Sequence, residues 1–180
     1  MRAVIDACVL YPTVLREITL GLARAGLLVP LWSDRLLAEW TRTAARHGGP
    51  ADAALAQGDI AALKAGFPAA MVAPDPGHEA QLWLPDSGDI HVLATAITGG
   101  ADTILTLNLR DFPRSELAGF GIDAIHPDAA FYQMWLDAPD TVTRVVAAVH
   151  ATAEHLSGAP LPLRPLLKGL RLTRLAKALG

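Results

Sequence analysis

The chain has 180 residues, 52% of them hydrophobic, with 15 Lys and Arg against 18 Asp and Glu and a formal net charge of −3. That length holds one core-forming domain with room for a helical extension, and the Ala- and Leu-rich, aromatic-poor composition excludes disorder and suits a helix-rich globular protein. The mild acidity is not that of a general nucleic-acid binder, and the single cysteine, Cys8, excludes an internal disulfide framework and a cysteine-based zinc cluster. With no apolar run near the roughly 18 residues of a membrane span, the sequence predicts a soluble, unexported protein of the reducing cytoplasm.

Ala3-Val4-Ile5 reads as a short buried strand that stops at Asp6, and Tyr11-Pro12-Thr13 as a turn and cap. A helix from Val14 to Ala25 follows, with Leu15, Ile18 and Leu22 inward, then a buried strand from Leu27 to Leu31. Ser33 caps a helix whose stripe is Leu36, Leu37, Trp40 and Ala44, with Glu39 at its edge. Gly48-Gly49-Pro50 ends that helix, residues 51–65 form another, and a proline-rich connection carries Val72 in a possible short strand. Residues 86–98 form a helix, Thr103 to Thr106 a strand, Ser115 to Leu117 a short helix and Asp123 to Ile125 a strand. The order β-α-β-α-α-α-β-α-β predicts an α/β protein with a parallel sheet covered by helices. After Pro127 the pattern is helical only: Val142, Val145, Val146 and Val149 keep helical spacing after a start at Pro139, and a Leu-rich basic helix begins near Pro165.

The stretch from Pro85 to Pro113, PDSGDIHVLATAITGGADTILTLNLRDFP, puts acid where a packed helix and a buried strand should have none. Asp89, Leu93 and Ile97 are four apart and stack on one helix face, so the Asp89 carboxylate must be paired, hydrogen-bonded or cation-bound. Asn108 and Asp111 follow the next strand, in the loop beyond a strand end where open α/β sheets place ligands. Asp6, Glu39, Asp89 and Asp111 can converge at the carboxyl edge of a parallel sheet. Four ionised carboxylates in one small volume require cations, and Mg²⁺ and Mn²⁺ are the metals that prefer oxygen donors. Such a centre suits phosphodiester cleavage, with the metal polarising the phosphoryl oxygen and lowering the pKa of a bound water for in-line attack.

The segments VIDACVLYP with Asp6, WSDRLLAEW with Glu39, PDSGDIHVLATA with Asp89 and ADTILTLNLRDFP with Asn108 and Asp111 resemble, in order and spacing, the PIN-domain ribonucleases, including the VapC-like toxins of toxin–antitoxin pairs. The resemblance spans roughly Met1 to Pro127. It implies a Rossmann-like α/β/α sandwich over residues 1–127 with a helical extension over 128–180, and Mg²⁺- or Mn²⁺-dependent endoribonuclease activity. It also implies an RNA substrate, a protein antitoxin partner and frequent dimerisation. Carried over position by position, Asp6, Glu39, Asp89 and Asp111 are the acidic quartet, and Asn108 supports the last acid. Ser33 is the small hydroxyl residue before the glutamate helix, and Arg16 a further recurring position.

Each of these residues has a plainer role as well. Asp6 and Asp111 can shape turns, Glu39 can be a solvated helix charge, and Asp89 can face the amides of its helix start. Asp86 is simplest as a helix cap and Asp102 as a residue fixing the start of a strand, while His78 and His91 lack the paired spacing of a zinc helix site. The tryptophans read as core or interface anchors. Arg110 and Arg114 flank the acidic edge as possible phosphate contacts or solvated charges. The tail from Arg164 carries Arg164, Lys168, Arg171, Arg174 and Lys177 without an acid, which suits protein docking or oligomer packing more than direct RNA contact. Two further functions stay open. One is an aspartyl-phosphate phosphatase, against which Cys8 stands where that family has a second Asp; the other is a non-catalytic interaction module on the same fold.

Overall fold

Ala3, Val4 and Ile5 are fully buried and form the centre of a four-stranded sheet in the computed structural model, which describes residues 1–180. In chain order the elements are β1 (Arg2–Ile5), α1 (Ala7–Leu10), α2 (Thr13–Arg24), β2 (Val29–Leu31), α3 (Asp34–Gly66), α4 (Pro76–Glu79) and α5 (Ile90–Gly99). Then come β3 (Thr103–Leu105), α6 (Arg114–Leu117), β4 (Asp123–Ile125), α7 (Pro127–Asp137), α8 (Pro139–Ser157), α9 (Leu163–Gly169) and α10 (Thr173–Ala178). This is an α/β fold with a central parallel sheet flanked by helices, continued by a C-terminal helical extension. No helix is long and apolar enough to cross a membrane. The chain divides into two compact units, Met1–Tyr11 with Val29–Ile125 and Pro12–Leu28 with His126–Gly180.

In the first unit the strand order is β2-β1-β3-β4, every pair parallel, with Val4 level with Leu31 and Ile104 and Ile104 level with Ala124. Parallel strands buried on both faces are short apolar runs, as Ile104 and Leu105 illustrate. All four strands therefore end on one edge, where Asp6 follows β1, Trp32-Ser33 follows β2 and Thr106 follows β3. Asp102 holds the opposite edge: both its carboxylate oxygens accept from the Arg2 main-chain N–H at 3.0 and 3.2 Å, and Oδ1 also accepts from Thr103 Oγ1 at 2.6 Å. That is the strand-start role its position suggests.

α3 begins as expected, with Ser33 Oγ accepting from the Leu36 N–H at 3.4 Å, and it buries Leu36, Leu37, Trp40 and Ala44. The break expected at Gly48-Gly49-Pro50 is present: α3 consists of two helical stretches that meet at a kink there. Gly49 adopts φ 76°, a region open to glycine, and helical structure resumes to Gly66. The strand expected around Val72 is a single bridge, Trp32 to Met71, reinforced by Val72 N–H to Trp32 O at 2.9 Å. The helix expected from residue 86 starts later: Ser87–Asp89 is a tight 3₁₀ turn and α5 begins at Ile90. Trp32 and Trp40 are fully buried, whereas Trp83 is exposed, so the tryptophans are not all anchors.

The second unit is helical. α2 buries Leu15, Ile18 and Leu22 as its periodicity requires, and it packs on α8, which buries Val142 and Val146. The crossing depends on Gly21, where an added Cβ would lie 2.6 Å from Val145 Cγ1. The basic tail forms two short helices, α9 and α10, instead of one, with Arg171 at φ 63° between them. Asp128 accepts from the Arg174 N–H at 2.9 and 3.0 Å and from the Leu175 N–H at 3.1 Å, capping α10 from α7.

Candidate active site

β1 is followed by Asp6, which is 7% exposed and takes the N-cap position of α1 without a side-chain capping bond. Its Oδ2 is instead tied to the next strand end, accepting from Thr106 Oγ1 at 2.6 Å and from Cys8 Sγ at 3.0 Å. Cys8 in turn accepts from the Leu107 N–H at 3.2 Å, and Thr106 Oγ1 from the Asn108 N–H at 3.0 Å. Burial, with the Asp6 carboxylate beside it, pushes the Cys8 thiol far above its ordinary value, so the thiol is a donor and not a nucleophile. This small network joins the carboxyl ends of β1 and β3 and fixes where the Asp6 carboxylate points.

Glu39 lies one turn and a half into α3 with its side chain 27% exposed. Its Oε1 is hydrogen-bonded to His91 Nε2 at 2.8 Å and ion-paired with Arg42 Nη2 at 3.5 Å. His91 is fully buried on α5, so it is not a solvated histidine.

Asp89 is half-buried at the boundary between the 3₁₀ turn and α5, in the N-cap position, and its carboxylate makes no capping hydrogen bond. Its plainer role, a carboxylate facing helix amides, is therefore absent. Burial raises its pKa first, the carboxylates of Asp6, Asp111, Asp86 and Glu39 add to the effect in that order, and together they bring it to about 7. Asp86 itself takes the capping role, its Oδ1 accepting from the Gly88 N–H at 2.7 Å.

Asp111 closes a 3₁₀ turn, Leu109–Asp111, whose bond runs from the Asp111 N–H to Asn108 O at 3.1 Å. The exposed Asn108 shapes this turn through its main chain, and its side-chain amide does not reach Asp111 by a hydrogen bond. Arg110 and Arg114 are both exposed. Arg114 lines an open recess with Leu109, Phe112, Pro113, Asp123 and Ala124. Arg16 is 5% exposed on α2, in the other unit, with its Nε 3.5 Å from Glu17 Oε1.

All four predicted acids thus come from the carboxyl edge of the sheet and from the turns and helices beside it, and the other three act on Asp89. Their oxygens are the donors a hard divalent cation takes, and such a cation would relieve the mutual repulsion that raises Asp89. By chemistry the residues fit. No three His, Cys, Asp or Glu side chains stand close enough to form a ready-made cage. Sequence reasoning missed Thr106, Cys8 and His91 as partners of these acids. Only His91 left a trace, two residues beyond Asp89 on an otherwise apolar helix.

A family model described as "PIN domain" matches residues 2–110, more than half of the chain, and takes in Asp6, Glu39, Asp89 and Asn108, ending one residue before Asp111. The chain belongs to the PIN-domain family, a family associated with nucleases. No curated protein and no solved structure matches it.

Proposed function

We propose that this protein is a metal-dependent endoribonuclease whose catalytic acids are Asp6, Glu39, Asp89 and Asp111, and that it is the toxin of a toxin–antitoxin pair. The observation that carries the reading is the raised Asp89 carboxyl, half-buried, without a capping bond and facing the charges of the other three acids. Membership of the PIN-domain family supports the nuclease class. Asp6, Glu39, Asp89 and Asp111 would hold Mg²⁺ or Mn²⁺, which would supply Lewis acidity at the phosphate and lower the pKa of the attacking water.

The chain's own residues do the rest. Thr106 and Cys8 hold Asp6 in one orientation, and Ser33 starts the helix that carries Glu39. Asn108 fixes the turn that delivers Asp111, and Arg110 and Arg114 meet RNA phosphates. Residues 1–127 make up the nuclease domain. The basic extension, 128–180, is the surface for an antitoxin or a second copy of the chain, and the protein works in the cytoplasm.

The test is cleavage of a panel of structured and single-stranded RNAs by metal-stripped protein resupplied with Mn²⁺. Activity that survives Asp6→Asn and Asp89→Asn together, or its absence on every RNA, overturns the nuclease reading. Growth arrest on expression, relieved by Asp6→Ala, tests the toxin role against housekeeping RNA processing. A second reading, a non-catalytic interaction module, draws on the lack of a closed three-ligand cluster. Calorimetry that finds no Mn²⁺ binding would favour it.

A further inference from the structure

Glu39 differs from the other three acids in reaching its place on a long, partly exposed side chain. Left alone, such a carboxylate samples several rotamers and presents either oxygen. Here both partners of the carboxylate are on the same oxygen, Oε1: His91 Nε2 hydrogen-bonded at 2.8 Å, and the Arg42 guanidinium ion-paired at 3.5 Å. The second oxygen, Oε2, has no protein donor.

His91 is placed at some cost. Its ring is fully buried and Nδ1 has no hydrogen-bond partner, so the contact with Glu39 is the ring's one polar bond. An aliphatic residue would suit the surrounding positions of α5, Val92, Leu93 and Ala94, which are all buried. The helix nonetheless keeps an imidazole there, and Thr95 Oγ1 bonds to the His91 carbonyl at 2.6 Å. The ring also bridges 52 positions of sequence, linking α3 to the turn of α5 that follows Asp89.

We infer that His91 is a positioning residue: by donating from Nε2 to Oε1 it locks the Glu39 carboxylate and leaves Oε2 as the oxygen offered to a divalent cation. The inference rests on the nuclease reading only for the identity of the site, and it predicts metal affinity as well as activity. A hydrogen bond that orients a ligating carboxylate raises the affinity of the site for metal.

Calorimetry of metal-stripped protein with Mn²⁺ tests it. His91→Leu is expected to weaken Mn²⁺ binding about 10- to 100-fold. His91→Gln, whose amide nitrogen reaches nearly as far as Nε2, recovers most of the loss, and His91→Asn, too short, does not. In a Glu39→Gln background His91→Leu adds no further loss, because the oxygen it orients is no longer a carboxylate. Should His91→Leu fail to fold by circular dichroism, the comparison of Gln with Asn decides alone. Folded His91→Leu that binds Mn²⁺ within about twofold of wild type, or Asn and Gln variants of equal affinity, overturns the assignment of His91. Wild-type protein that binds no Mn²⁺ overturns the metal site and His91's role together, whereas Mn²⁺ binding without RNA cleavage removes the nuclease reading and leaves the positioning result intact.

Discussion

Two aspartates, one in each unit, are about equally hidden: Asp6 is 7% exposed and Asp128 9%. Their surroundings separate them. Asp128 takes three contacts from the main-chain N–H groups of Arg174 and Leu175, so its charge is spent on the unsatisfied donors at the start of α10. Asp6 has side-chain donors on Oδ2 only, Thr106 and Cys8, and it contributes to raising the pKa of Asp89 alongside Asp111, Asp86 and Glu39. A buried carboxylate taken up by main-chain amides is a structural device; one held on a single oxygen by a hydroxyl and a thiol keeps its other oxygen free of side-chain donors. Burial alone does not distinguish them.

The sharpest way to break this contrast is to neutralise both. Asp6→Asn, Asp89→Asn or Asp111→Asn is expected to lower Mn²⁺-supported RNA cleavage by about 10³-fold or more, the several kcal/mol of transition-state stabilisation that a metal site provides. Their melting temperatures should change little or rise. Asp128→Ala should do the reverse. Loss of its charge-assisted bonds is expected to cost about 2–4 kcal/mol of folding stability, read as a melting temperature lower by roughly 5–15 °C, with cleavage per folded molecule unchanged. If Asp128→Ala also abolished cleavage in folded protein, the division of roles would be wrong.

The same contrast has a pH dependence. Asp89 has its folded-state pKa raised from 3.8 to about 7, so between those values the folded chain binds more protons than the unfolded one. Stability from this group is fully present below pH 4 and is lost as pH rises toward 7 and beyond. Metal-stripped protein should therefore lose about 2 kcal/mol between pH 4 and pH 8 from Asp89, a figure reduced for its half-exposed position. Urea titrations at the two pH values measure it. In Asp89→Asn that component should vanish, and added Mn²⁺ should restore the wild type at pH 8.

Much of this was legible in the sequence where a local rule applies. Ala3-Val4-Ile5 ending at an aspartate, the stripe through Leu36, Leu37 and Trp40, and the valines of α8 each follow from a period of two or of 3.6, and the structure repeats them. The kink at Gly49 and the helix that resumes beyond it were legible too, since glycine and proline mark such a break. The turn at Arg171 was invisible because a left-handed arginine carries no glycine or proline signal. In the candidate site, Asp89 stood out as a charge in apolar company, while Asp6, Glu39 and Asp111 were singled out by the resemblance to PIN-domain segments. Their partners did not stand out, because the His91–Glu39 contact spans 52 residues and the Thr106–Asp6 contact spans 100, distances over which only the folded chain carries information.

Asp86 provides the smallest and most discriminating test of that sequence reading. It lies three residues from Asp89 and raises the same carboxyl, yet its own Oδ1 is occupied by the Gly88 N–H at 2.7 Å. A residue whose side chain already closes a turn contributes there by capping, about 0.5–1 kcal/mol, and little of it depends on charge. Asp86→Asn keeps the capping oxygen and removes the charge, so its melting temperature should stay near that of the wild type, while Asp86→Ala should lose the capping energy. Neither change should alter Mn²⁺-supported cleavage by more than about threefold, about half a decade in rate. A loss for Asp86→Asn as large as for Asp89→Asn would move Asp86 into the acid set, and proximity to Asp89 would then outweigh hydrogen-bond occupancy as the mark of a working carboxylate.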